Sequence, residues 1–226
     1  MHPPTAHDAL ARLDPDALRR ALDAHVAVER PALPGRSNHR RAGVLIPLVW
    51  ERAPVALATL RPATLRRHAG EICFPGGKPE PGDVDLYATA CREAEEELGI
   101  DAPRRLGRLS SIPLYTSDFR LEPFVAEVPA GPLRPCPQEV ERVLRLPLAD
   151  TLGAPAVDAI PYDHEGQTHL SPVFAIEGLR MYGATAHAFW ELLGVVAAAV
   201  DHALPPLRTG RYSWAQLLSG RAQAGE

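Results

Sequence analysis

Residues Gly76–Ile100 read GGKPEPGDVDLYATACREAEEELGI, and the carboxylates in the second half of this stretch decide how the chain is to be read. At 100° per residue, Glu93, Glu96 and Glu97 fall in one sector of a helix. Tyr87, Ala90, Cys91, Ala94 and Leu98 make an adjoining apolar stripe, the face expected to be buried. Three carboxylates thus stand beside the core. Glu93 and Glu97 are an i,i+4 like-charge pair, and Glu96 crowds both. Gly99 is the expected C-cap, so the cluster also meets the negative end of the helix dipole. A bound cation would relieve this repulsion, and carboxylate oxygens with water suit Mg²⁺ or Mn²⁺. A solvated acidic face would explain EAEEE by itself, but the residues before it argue for a site.

Those residues are Phe74-Pro75-Gly76-Gly77-Lys78. Two glycines after a short apolar strand let the backbone turn and approach another group closely. A free carbonyl at Gly76 would join the glutamates around a metal. Pro79, Pro81 and Gly82 continue the loop, and Asp83 is the expected helix N-cap. The unit is strand, glycine loop, and a helix with inward carboxylates.

The run Arg92-Glu93-Ala94-Glu95-Glu96-Glu97-Leu98-Gly99-Ile100, with the glycine loop before it, resembles the Nudix box, G-x5-E-x7-R-E-U-x-E-E-x-G-U. The match is complete from Arg92 onward. Asp83 stands where the box has Glu, and Arg92 comes one residue late, so Asp83 and Asp85 both compete to be the ion-pair partner of the box arginine. Just upstream, Thr59, Arg61, Leu65, Arg66, His68, Gly70 and Phe74-Pro75-Gly76-Gly77 resemble the added signature of the coenzyme A pyrophosphatase branch, with Pro62 in place of its usual Ser.

This resemblance implies an α/β/α sandwich with a mixed central sheet, over residues 36–204. It implies metal-dependent hydrolysis of coenzyme A or acyl-CoA to 3′,5′-ADP and 4′-phosphopantetheine. Glu93 and Glu97 would be the principal Mg²⁺ or Mn²⁺ ligands, with the Gly76 carbonyl completing the set and Glu96 acting as ligand or base. Arg92 would orient an acid, and Glu139 would be the further carboxylate that the family often draws from a distant loop. Rival readings are a Nudix hydrolase of ADP-ribose, NADH or capped RNA, a non-catalytic binding module, and a prenyl-type isomerase on the same fold.

The basic run Arg61, Arg66, Arg67, His68 enters the metal loop directly. Its position favours Arg61 and Arg66, with Lys78, as cations facing substrate phosphates. His68 serves either a loop-ordering hydrogen bond or a phosphate contact.

The remaining sequence frames this unit. A length of 226 residues suits one sizeable core. A net charge of −4 gives no reason to expect nucleic-acid or membrane affinity. MHPPTAHDAL lacks the basic and apolar regions of a signal peptide. With Cys73, Cys91 and Cys136 widely spaced and read as reduced, a cytoplasmic protein is expected. Asp14-Pro15-Asp16 starts a helix within an N-terminal extension, residues 1–35, that packs on the domain or on a partner subunit in a homodimer. Ala42–Trp50 and Val55–Leu60 read as strands, with Pro47 suggesting an edge or bulge. Gln138–Leu146 is ambiguous between helix and strand. A hairpin is expected around Glu165-Gly166-Gln167, then a helix from Ala184 to about His202 with Phe189, Trp190, Leu193 and Val196 inward. Residues 205–226 form a tail that docks in part through Tyr212 and Trp214.

Overall fold

The computed structural model describes residues 4–65, 68–164 and 166–222, with the backbone alone at 219–222. Arg66 and Arg67 lie outside the described residues. In chain order the elements are α1 (Ala6–Leu10), α2 (Pro15–Ala24), β1 (Arg40–Trp50), β2 (Pro54–Leu60), β3 (Ile72–Cys73), β4 (Gly76–Gly77), α3 (Leu86–Leu98), β5 (Arg104–Arg108), β6 (Ile112–Pro113) and β7 (Phe119–Glu127). There follow β8 (Arg142–Pro147), α4 (Leu148–Leu152), β9 (Val157–His164), β10 (Gln167–Ile176), β11 (Leu179–Met181), α5 (Gly183–Ala199), β12 (Leu207–Arg208) and α6 (Trp214–Ala222).

The main sheet runs β3-β2-β1-β7-β5, with β4 on β1, β6 on β7 and β8 on β2. It is mixed, because β1 and β7 pair in parallel while β1 and β2 pair antiparallel. Successive residues of β1 serve opposite cores. Leu45 and Val49 pack with Ala90, Ala94 and Leu98 of α3. Val44, Ile46 and Leu48 pack with Leu18 and Leu22 of α2 and with Phe189, Leu192 and Leu193 of α5. Coverage on both faces explains why β1 shows no alternation of polar and apolar residues. The result is an α/β/α sandwich. A second sheet, β11-β10-β9-β12, packs on α5 and contains the expected hairpin.

Pro47 is not at an edge, since β1 is the central strand. It stands in the gap between the stretch of β1 that pairs with β4 and the stretch that pairs with β2, where no N–H is required. Of the ambiguous stretch Gln138–Leu146, residues 138–141 form a turn and a bend and the rest enters β8, which pairs with β2 along its whole length. In α2, Asp14 caps the helix by accepting the Ala17 N–H, with Pro15 in the first turn. His25, just beyond, bonds Glu191 on α5 at 2.8 Å, so this stretch is tied to the domain. On α5, Phe189, Leu193 and Val196 are buried, whereas Trp190 is only partly covered, against Phe174. No described helix is long and apolar enough to cross a membrane.

Candidate active site

Helix α3 lies directly on β1 because Gly43 has no side chain. A Cβ there would stand 2.2 Å from the Leu86 carbonyl oxygen. The helix starts at Asp85, not at Asp83. The Asp85 carboxylate accepts the Ala88 N–H, which leaves Asp83 for another task. Asp83 is the partner of Arg92, whose Nε and Nη2 each reach it at 3.2 Å. Thr89 Oγ1 donates to the same carboxylate at 2.9 Å. With Arg92 as the largest cause, the Asp83 pKa is held down at about 2. The guanidinium also contacts Glu93 and Glu96, each at 3.1 Å, and its Nη2 donates to the Lys78 carbonyl at 3.0 Å. One arginine thereby ties the glycine loop to the acidic face of α3.

The three glutamates occupy different environments. Glu97 is 3% exposed. Its Oε1 accepts the Gly76 N–H at 3.3 Å, and its Oε2 is buried with no hydrogen-bond partner among the described residues. Burial pushes its pKa up to about 7, against the Gly76 N–H and the Arg61 charge that favour the anion. Glu93 is less deeply buried; its carboxyl is raised first by lost hydration, while Arg92 draws it the other way. Glu93 also abuts Gly77. Glu96 is exposed and held by Arg92. Gly76 meets Glu97 through its N–H, whereas the sequence suggested a role for its carbonyl.

Glu139 reaches the site by a route the sequence did not reveal. The last carbonyls of α3 have no partner within the helix. The N–H of Cys136 bonds the Glu97 carbonyl at 2.9 Å, and the N–H of Arg134 bonds the Leu98 carbonyl at 2.8 Å. This proline-rich connection is therefore wrapped under the helix end, and exposed Glu139 comes close enough to raise the carboxyls of both Glu93 and Glu97.

On the opposite flank, the Arg61 N–H bonds the Glu71 carbonyl at 3.0 Å and the Gly70 N–H bonds the Arg61 carbonyl at 3.1 Å. His68 adopts φ +57 and its Nδ1 lies 2.9 Å from Glu71 Oε2, a contact that orders the loop. The Arg61 side chain acts on Glu97 and on Cys73, and its Nε is buried without a hydrogen-bond partner among the described residues. Cys73 lies beside Arg61 and Glu97, with its thiol pushed up to about 12 by burial. Lys78 is exposed.

The NUDIX domain profile matches residues 39–165. The chain belongs to the Nudix family. It is 36% identical over 159 residues to an uncharacterized Nudix hydrolase, NudL, of Photorhabdus laumondii, covering 69% of this chain and 84% of that one. Identity to NudL of Yersinia pestis, strain Pestoides F, is 38% over 154 residues, or 66% of this chain and 76% of the relative. Among solved structures, the MutT protein of Methanosarcina mazei Go1 is similar at 24% identity and a TM-score of 0.40, over 51% of this chain and 81% of that one.

As a Nudix hydrolase the protein is an enzyme of small nucleotide derivatives. The acidic face of its α3 suits a divalent cation in kind: hard oxygen donors, a net negative charge, and a buried Glu97 Oε2 with no protein donor. Among the described residues, no three His, Cys, Asp or Glu side chains are drawn together tightly enough to form a finished cage.

Proposed function

We propose that this Nudix hydrolase cleaves the pyrophosphate bond of coenzyme A and its acyl derivatives, releasing 3′,5′-ADP and 4′-phosphopantetheine or its acylated form. Arg61 carries the reading. It belongs to the Thr59–Gly77 segment that resembles the coenzyme A branch, and its Nε is buried beside the acidic cluster without an acceptor among the described residues. A buried N–H left unpaired is costly. A phosphate oxygen of the substrate would satisfy it with a charge-assisted bond.

Glu93 and Glu97 would hold Mg²⁺ or Mn²⁺, with Glu96 and the Gly76 backbone alongside; the bound cation would offset pyrophosphate charge and activate water. The rest falls to the chain. Asp83 and Lys78 fix Arg92, and Arg92 fixes the spacing of the glutamates. Glu139 is not committed to Arg92 and takes the proton as water attacks phosphorus. The bond from phosphorus to the leaving phosphate oxygen then breaks, while Arg61 bears on the phosphate charge. Such a substrate is small and soluble, in keeping with a cytoplasmic enzyme that needs neither nucleic acid nor a membrane surface.

The test is a steady-state panel with Mg²⁺, products identified by mass. Coenzyme A or acyl-CoA should be cleaved with higher kcat/KM than ADP-ribose or NADH. The reverse order would leave only the broader Nudix hydrolase activity standing.

A further inference from the structure

Two cations beside the site share one aromatic ring. Arg40 Cζ lies 4.3 Å and Lys78 Nζ 5.6 Å from the centroid of Phe119. Both side chains are exposed, and among the described residues neither is in an ion pair. Other cations of this region are committed. Arg41 is paired with Glu29 and Glu122, Arg30 with Glu191, and Arg36 donates to the Tyr115 carbonyl. The nearest acid on the adjoining loop, Asp118, accepts the Ser37 N–H at 3.0 Å. Two like charges held on one ring repel, and an anion between them reverses the sign of that interaction.

The platform is fixed to the site. Arg40 and Phe119 are register partners on β1 and β7. Asn38 Nδ2 donates to the carbonyls of Leu114, Ser117 and Phe119, which pins the loop carrying the ring. Lys78 follows Gly76 and Gly77 in the chain, and Arg92 holds its carbonyl. Tyr115, 77% exposed, stands on the same pinned loop.

We propose that Arg40 and Lys78, supported by Phe119, form a second anion subsite that takes a phosphate monoester separate from the pyrophosphate being cleaved. Resting on the coenzyme A reading, that group is the ribose 3′-phosphate, and Arg40 and Lys78 are specificity-determining residues. Exposed cations over a half-buried aromatic ring bind a mobile anion without being needed for the fold, so substitutions of Arg40 and Lys78 are structurally mild.

The experiment compares coenzyme A with coenzyme A lacking the 3′-phosphate, in wild type, Arg40→Gln and Lys78→Gln. The subsite predicts that the kcat/KM ratio of the two substrates falls about tenfold or more in each variant, chiefly through KM. An unchanged ratio in both variants overturns it. Calorimetric binding of 3′,5′-ADP against AMP gives an answer independent of turnover. Wild type should bind 3′,5′-ADP more tightly, and the double variant should bind the two alike. Equal binding by wild type overturns the subsite. If wild type cleaves neither coenzyme A species yet binds 3′,5′-ADP through Arg40 and Lys78, the coenzyme A assignment fails while the subsite stands.

Discussion

Gly77 lies so close to Glu93 that a Cβ at residue 77 would stand 2.1 Å from Glu93 Oε1. The clashing atom is the far end of a side chain, so the helix need not move; the carboxylate must. Gly77→Ala is therefore expected to fold with a melting temperature within a few degrees of wild type, and to lose activity by about a hundredfold through misplacement of Glu93. Turnover at saturating Mg²⁺, with calorimetric melting alongside, checks it. Wild-type activity would remove Glu93 from the reacting centre.

Glu97 links stability to pH in the metal-free protein. Its folded pKa, about 7, lies above the ordinary 4.5 because burial disfavours the anion. The stabilisation is therefore fully present below about pH 4.5 and is lost as pH rises through 7. The upper bound is on the order of 3 kcal/mol. His187 acts in the opposite sense, since burial lowers its pKa to about 4 and its contribution is lost as pH falls below the ordinary 6.5. The difference between wild type and Glu97→Gln isolates the first effect. In chelator, Glu97→Gln should melt with a shallower loss between pH 5 and pH 8. Added Mg²⁺ should raise the wild-type melting temperature and leave the variant nearly unmoved. Parallel pH curves for the two proteins would contradict the assignment.

The acidic face of α3 was legible because it violates the ordinary rules for a helix: like charges at i,i+4, at the wrong end of the dipole. The two strands before the glycines were legible for similarly local reasons, whereas Gly76 and Gly77, expected to turn the chain, form β4 on β1. What escaped depended on contacts distant in the chain. Asp83 and Asp85 are equally good caps by type, and only the fold aims one of them at Arg92. Pro47 suggested an edge or a bulge, because the switch from β4 to β2 along β1 leaves no other trace in sequence. Phe119 and Arg40 are far apart in the chain, and parallel register alone brings them together.

Glu96 and Glu139 are expected to separate by what rescues them. Glu96 is ion-paired with Arg92 and adjoins Glu93 and Glu97, so Glu96→Gln should require more Mg²⁺ and recover much of its rate when the metal is raised. Glu139 is exposed and has no such tie, so Glu139→Gln should lose about two to four orders of magnitude in kcat at saturating Mg²⁺, with KM little changed. Metal titrations of turnover for both variants make the comparison. Rescue of Glu139→Gln by metal, or its absence in Glu96→Gln, would exchange the two roles.

Asp83 and Asp85, two residues apart, should fail in different ways. Asp85 caps α3 through the Ala88 N–H at 2.7 Å. Asp85→Ala is expected to cost about 1 kcal/mol of stability and to leave kcat near wild type. Asp83 serves Arg92 through two contacts of 3.2 Å and also receives the Thr89 hydroxyl and the Glu80 N–H. In Asp83→Ala the guanidinium loses its most strongly coupled partner and is free to turn fully onto Glu93 and Glu96, in competition with the cation. Activity should then fall about ten- to a hundredfold, with a higher Mg²⁺ requirement. Denaturant melts and Mg²⁺ titrations on the two single variants read these outcomes side by side. A catalytic loss in Asp85→Ala equal to that in Asp83→Ala would mean that helix integrity, not the Arg92 tether, sets the geometry of the glutamates.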